Sequence, residues 1–270
     1  MGATGSTERR RAQAAERLLA QADAVAAWYD ERSAEDLAAP TILSGWDVRD
    51  LGAHCLVVLT GLTSALGRPS VSRPLPQHVY LTAYREFAAQ IEKEAQDRAV
   101  GTPDLSTALR TAVTELGVRL GCPWPEVVTG PRGPVRADDF VTSRVIDLVV
   151  HSDDLGRSGP PGPAIDRQAL GAATRGAAAV LADRYPGATI EVRMPPAAAV
   201  QCGVAPVGPS SGYDGSTHTR GSPPNVVEMA PMIFLRLATG RLSWASALLD
   251  ASVRASGAHA DLSALLPLFG

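Results

Sequence analysis

Asp138-Asp-Phe-Val-Thr-Ser-Arg144-Val-Ile-Asp147-Leu-Val-Val-His151-Ser-Asp-Asp154-Leu155 is the stretch on which the fold turns. It reads as one long helix, apolar except for a dense polar constellation of Arg144, Asp147, His151 and Asp154. Asp147, His151 and Asp154 stand at i, i+4 and i+7, which puts all three on one helix face with neighbouring Cβ atoms about 5–6 Å apart. Upstream, a short hairpin from Val127 to Val135 turns at Gly130-Pro131-Arg132-Gly133 and feeds this helix. Further upstream, Leu18, Leu19, Ala22, Val25, Ala26 and Tyr29 form the apolar stripe of a first helix that starts near Ser6. A second begins at Asp47, a good N-cap with Asp50 in the first turn, and carries Leu51, His54, Val58 and Leu62 along its inner face. Tyr80, Ala83, Tyr84, Phe87 and Ile91 mark a third amphipathic helix. Leu105, Leu109, Ala112, Val113, Leu116 and Leu120 mark a fourth, which stops at Cys122-Pro-Trp-Pro125.

Several long helices in so short a span are what a four-helix bundle requires. Beyond it the pattern changes. Ser158-Gly-Pro-Pro-Gly-Pro163 reads as a linker, followed by an alanine-rich helix from Asp166 to Arg184 and strand-like pieces at 189–193, 198–202, 225–229 and 251–255. A helix from Pro231 to Thr239, ended by Gly240, lies among them. The expected architecture is a multidomain α and α+β chain, with a helical bundle over residues 6–158 and an α+β domain over 164–270.

Composition narrows the function classes. The chain has 270 residues, 45% apolar and 20% charged, which describes a folded globular protein. Twenty-eight acidic against 25 basic residues leave a net charge of −3, so there is no global positive field for nucleic acid or anionic lipid. Cys55, Cys122 and Cys202 are widely spaced and odd in number, against a disulfide scaffold or a cysteine-built zinc site. No run approaches a membrane span, and Glu16 and Asp23 interrupt any apolar leader, so a reducing cytoplasm is the expected location. Lys93 is the single lysine among the 25 basic residues, in an alanine-rich chain, which points to a GC-rich bacterial genome.

A carboxylate and an imidazole one turn apart can converge on a single cation, and a catalytic site needs a third ligand with positions left open. His54, inward on the second helix, would complete a His₂-carboxylate set with Asp147 and His151. The same spacing also fits a hydrogen-bonded core histidine and a buried Asp–His pair, and no HExxH signal separates the two readings. His78, His218 and His259 lie at a helix start or in loops and receive no role. GxSxG, GxxxxGK[ST] and a strand-borne GxGxxG are absent. Cys55 neighbours His54, but adjacent helical residues diverge by about 100°, so the two are not a nucleophile–base pair and Cys55 reads as packing.

Leu43-Ser-Gly-Trp-Asp-Val-Arg-Asp-Leu-Gly-Ala-His54 resembles the GWxVRDLxAH motif of the mycothiol-dependent maleylpyruvate isomerase family, whose amino-terminal domain is a DinB-like four-helix bundle. Arg144-x-x-Asp147-x-x-x-His151-x-x-Asp154 resembles that family's RxxExxxHxxD stretch. Phe234-Leu-Arg-Leu-Ala-Thr-Gly-Arg241, Ser243-Trp-Ala and Val253-Arg-Ala-Ser-Gly257 through Asp261-Leu-Ser-Ala-Leu-Leu-Pro267 resemble its carboxy-terminal domain, which is similar to sterol carrier proteins. The resemblance implies an actinobacterial-type, metal- and mycothiol-dependent transferase or isomerase. His54, Asp147 and His151 would bind a divalent metal, zinc first, with Asp154 and Arg144 supporting the ligands. The metal would activate a small-molecule thiol for attack on an electrophilic substrate, and Arg236 and Arg241 are candidates to hold an anionic group of cofactor or substrate. The family's usual Glu is Asp147 here, shorter by one methylene and about 1.5 Å of reach. The competing expectation is a non-catalytic carrier of apolar ligands, with Ile233, Phe234, Leu237, Leu262, Leu265 and Leu266 lining a tunnel in the sterol-carrier-like domain.

Overall fold

The computed structural model describes residues 2–159, 161–204 and 225–269. The chain divides into two compact units, one of Met1–Pro76 with Glu86–Ala169 and the other of Gln77–Arg85 with Leu170–Gly270.

The chain begins with α1 (Gly2–Asp30), the single turn α2 (Ala34–Leu37), α3 (Val48–Leu66), α4 (Gln77–Thr82), α5 (Tyr84–Val100) and α6 (Leu105–Leu120). The hairpin β1 (Val127–Gly130) and β2 (Gly133–Arg136) and the long α7 (Ala137–Ser158) follow. The bundle is made of α1, α3, α6 and α7, with α1 and α3 each packing on both α6 and α7. The apolar stripes account for this. Leu18, Ala22, Val25, Ala26 and Tyr29 of α1 are buried, as are all six stripe residues of α6. Each large apolar side chain taken from water contributes about 1.5–3 kcal/mol.

The start of α3 is fixed by a reciprocal cap in which the Asp50 amide donates to Asp47 Oδ1 at 2.7 Å and the Asp47 amide to Asp50 Oδ2 at 3.3 Å. Its placement against α1 depends on Gly52. A Cβ there would stand 2.6 Å from Cζ of Tyr29 and 2.8 Å from Cδ2 of Leu105, so only glycine lets the tyrosine ring lie on the helix backbone. The Tyr29 hydroxyl then donates to the Val48 carbonyl at 2.8 Å, and burial pushes its pKa well above the usual value. The hairpin packs on α3 and α7, with Val128 paired to Val135 and both fully buried.

Three local expectations need correction. The third amphipathic helix is two, α4 and α5, separated by a turn at Ala83. The break falls near the point where the chain passes from one unit to the other. Tyr80 is buried, but Ala83, Tyr84, Phe87 and Ile91 are only half-buried, and the buried positions of α5 are Ala95 and Ala99. The linker-like run after Ser158 is held on the bundle: the Trp28 indole donates to the Pro161 carbonyl at 2.8 Å, and the buried Gln21 amide bonds Ser152 Oγ, the Ala164 carbonyl and the Asp166 amide. Gly162 lies so close to Gly156 of α7 that a Cβ on it would stand 2.4 Å from the Gly156 nitrogen. The last strand begins at Val253 because Ala251, with φ +56°, is in the left-handed region and cannot be extended.

The second unit holds α4, α8 (Arg167–Arg184) from Leu170 onward, β3 (Ile190–Met194), β4 (Ala198–Cys202), β5 (Asn225–Met229), α9 (Pro231–Ala238), α10 (Trp244–Leu249) and β6 (Val253–Ser256). The strand order is β4-β3-β5-β6, with β3 and β5 parallel and the outer pairs antiparallel. Ile190, Val192 and Met194 are buried and alternate with the half-buried Glu191 and Arg193, and Val227 and Met229 alternate in burial with Val226 and Glu228, so one sheet face is buried. Ala173, Ala177, Ala178, Val180 and Leu181 give α8 a thin buried stripe. The α+β expectation is met, although the short α10 carried no periodic signal.

Candidate functional site

Two bundle helices bring the sequence-selected residues together. His54 projects from α3 and His151 from α7, and their rings meet edge to face with centroids 4.9 Å apart and planes at 84°. His54 is 8% exposed. Three residues on from His151, Asp154 is fully buried, and its Oδ2 lies 3.0 Å from His151 Nδ1. A carboxylate only accepts, so Nδ1 donates in this contact, which leaves Nε2 as the ring nitrogen that could ligate a metal. Asp147 lies one turn earlier, and its Oδ2 pairs with Arg144 Nη2 at 3.0 Å, both side chains being nearly buried. Arg144 is itself placed by Ser143, whose Oγ accepts from its Nε at 3.1 Å, and by the Phe140 ring 4.8 Å from its guanidinium carbon.

The two aspartates also shape the electrostatics of the neighbouring buried groups. The Cys55 thiol is pushed up to about 12, first by burial and then by the negative charges of Asp147 and Asp154. Cys55 is therefore an inert packing thiol at neutral pH, as expected from its place beside His54. Cys202 is likewise buried and pushed up to about 12, whereas Cys122 is exposed.

The donor chemistry suits a borderline divalent ion: a buried imidazole and a half-buried one, the latter held through its Nδ1 by a carboxylate in the manner of metal-binding histidines, and a second carboxylate alongside. Among the described residues, however, no three His, Cys, Asp or Glu side chains are arranged as a set that could hold a metal ion. In this geometry one Asp147 oxygen is engaged by Arg144. The shorter Asp147 thus sits with its arginine, while the two histidines sit with each other.

Arg236 lies on α9 and Arg241 just past it, both half-buried in the second unit. The Arg241 amide donates to the Arg236 carbonyl at 2.7 Å, and Arg241 Nη1 donates to the Thr239 carbonyl at 3.1 Å. Of the residues considered for an apolar tunnel, Phe234, Leu237, Leu262 and Leu265 are buried and Ile233 and Leu266 are half-buried. His78 lies in α4, the His259 amide donates to Asn225 Oδ1 at 2.8 Å, and His218 lies outside the described residues. Trp46 was not singled out by the sequence, yet its half-buried indole meets the His54 ring edge to face at 5.7 Å. The signal for it was its place in Gly45-Trp46, eight residues before His54.

Comparison with known proteins follows this division of the chain. The family model for the mycothiol maleylpyruvate isomerase N-terminal domain matches residues 18–156, just over half of the chain. The chain belongs to the mycothiol maleylpyruvate isomerase family. A second model, described as bacterial SCP ortholog, matches residues 166–268, in agreement with the sterol-carrier-like reading. Two solved structures share the fold: a mycothiol-dependent maleylpyruvate isomerase, with TM-score 0.56 and 16% identity, and a histidine-to-alanine mutant under the same name, with TM-score 0.54 and 15% identity. Each match covers 91% of this chain and 92% of the other. No curated protein matches the chain significantly. Among the described residues no helix is long and apolar enough to cross a membrane.

Proposed function

We propose that this chain is a metal-dependent enzyme that uses a small thiol of the mycothiol type to isomerise, or to conjugate, an electrophilic substrate of the maleylpyruvate kind. The observation that carries this reading is the edge-to-face pair of imidazoles from α3 and α7, His54 buried and His151 half-buried, with Asp154 on Nδ1 of His151, in a bundle of this family. His54, Asp147 and His151 would hold the metal. When bound there, a divalent ion lowers the pKa of a thiol so that a thiolate is available at neutral pH.

The chain's own residues supply the rest. Asp154 fixes the His151 tautomer and strengthens it as a donor through Nε2. Arg144 pairs with Asp147 and sets its orientation. The bundle takes His54 and much of His151 out of water, which strengthens the charge interactions at the pair. The thiolate sulfur would add to an electrophilic alkene carbon as the C=C pair moves onto the conjugated carbonyl. Rotation about the resulting single bond and return of that pair would expel the thiolate and leave the isomer, whereas protonation of the adduct would give an S-conjugate. Arg236 and Arg241 are proposed to meet an anionic group of the thiol or substrate. The carrier reading gains no specific support, because most of its candidate lining residues are buried as core residues are.

The test is turnover of maleylpyruvate with and without mycothiol, in protein loaded with zinc. Thiol-dependent turnover that is lost in His54→Gln and His151→Gln supports the proposal. Turnover that needs metal but no thiol would replace it with a hydrolase on the same bundle.

A further inference from the structure

The loop before α3 is more ordered than a connection needs to be, and it carries Trp46. Its strands of backbone close on themselves: the Thr41 amide donates to the Trp46 carbonyl at 2.9 Å, Thr41 Oγ1 donates to the same carbonyl at 2.9 Å, and the Trp46 amide donates to Leu43 at 3.1 Å. Gly45, at φ +82°, makes the reversal that a side chain would strain. Pro40 and Asp47 form an antiparallel bridge at the base. The loop tip is then tied to α7. The Ile42 amide donates to Ser158 Oγ at 3.0 Å, and that hydroxyl donates to the Asp154 carbonyl at 2.7 Å. Asp154 is the residue whose side chain holds His151. One continuous series of contacts therefore runs from Asp154 through Ser158 and the loop to Trp46, and from Trp46 to His54, which itself meets His151.

We infer that Trp46 is a positioning residue that sets the tilt of the His54 ring, with the loop of residues 39–47 as its mount and Ser158 as its tie to the helix that carries His151. An imidazole on a helix has a broad, roughly two-fold freedom about its ring torsion. The indole, with its ring centroid 5.7 Å away and planes at 84°, and the His151 ring, with its centroid 4.9 Å away at 84°, each meet the His54 ring edge to face and oppose its rotation. A contact of this kind biases a two-state ring equilibrium by about two- to tenfold. As a positioning device it rests on the metal-dependent reading above, while its effect on the ring is separable from metal binding.

The experiment therefore has two arms. In metal-free protein, NMR of the histidine rings with ¹⁵N- and ¹³C-labelled histidine is compared for wild type, Trp46→Phe and Trp46→Ala, with thermal melting to verify the fold. The expected result is one set of His54 ring signals in wild type and Trp46→Phe, and doubled or exchange-broadened signals in Trp46→Ala at unchanged melting temperature. A single unshifted set in Trp46→Ala overturns the inference. In the second arm cobalt(II) is titrated into each protein and followed by its visible absorption. Affinity about two- to tenfold weaker in Trp46→Ala, restored in Trp46→Phe, is expected. Equal affinity in all three overturns the metal-positioning role. Wild type that binds no cobalt removes the metal-dependent reading and that role with it, while the first arm still decides whether Trp46 sets the ring.

Discussion

Replacing Gly52 by alanine probes both the packing of the bundle and the placement of His54 two residues further along α3. In an exposed helix the change would stabilise by about 0.5–1 kcal/mol through backbone entropy. Here the new methyl would stand 2.6 Å from Cζ and 2.7 Å from Cε1 of Tyr29, a ring that is buried and tied by its hydroxyl to Val48. Overpacking of that kind costs about 1–3 kcal/mol, and displacing the ring endangers a hydrogen bond worth about 1 kcal/mol. The net expectation is a loss of about 2 kcal/mol, which lowers the melting temperature by about 4–8 °C for a domain of this size. Thermal and urea unfolding by circular dichroism read it out. In a Tyr29→Leu background the same substitution should cost at least about 1 kcal/mol less, because the ring it strikes is gone. Stabilisation by Gly52→Ala in both backgrounds would refute the proposed contact between α1 and α3.

Other residues carry their own expectations. Asp154→Asn removes the charge that holds His151, and metal affinity measured by chelator competition should fall about 10- to 100-fold, with no change counting against the orienting role. Arg144→Met leaves Asp147 without its near-buried partner and should cost about 3–5 kcal/mol in urea unfolding, much of it recovered in Arg144→Met with Asp147→Leu. Raising the pH should weaken the fold. Cys55 and Cys202 are pushed up from 9.0 to about 12, so above pH 9 the unfolded chain loses protons that the folded chain keeps. Their contribution is intact below pH 9 and is lost progressively towards pH 12. A urea midpoint at pH 10.5 equal to that at pH 8 would contradict this, and Cys55→Ala should flatten the dependence.

Much of this was legible in residue spacing because bundle helices bury one stripe, and the 3.6-residue period registers that stripe directly. Asp47 with Asp50 marked the start of α3, and the six apolar positions of α6 marked its inner face. The period failed at α5, whose buried positions are the alanines Ala95 and Ala99, nearly indistinguishable from exposed ones in an alanine-rich chain. It also failed for the run after Ser158, where proline and glycine signal a loop but not what the loop touches. Gln21 and Trp28 hold that run through carbonyl, amide and hydroxyl groups distant in sequence. At the site, spacing put Asp147, His151 and Asp154 on one face, and the inward stripe of α3 brought in His54. It could not anticipate that Arg144 would engage Asp147, because an i, i+3 ion pair and an i, i+4 metal pair compete for the same carboxylate. Trp46 escaped because its contact is set by a loop reversal at Gly45, not by a helical period.

The proposed role of the α3 and α7 histidines as metal ligands is the central claim, and metal content tests it most directly. Untagged protein, with His54→Gln and His151→Gln variants prepared alongside, is to be analysed for bound metals by elemental analysis. About one divalent ion per chain in the parent and little in either variant is the expected result. Parent protein that is metal-free and cannot be reconstituted with zinc, manganese, iron or nickel would contradict it.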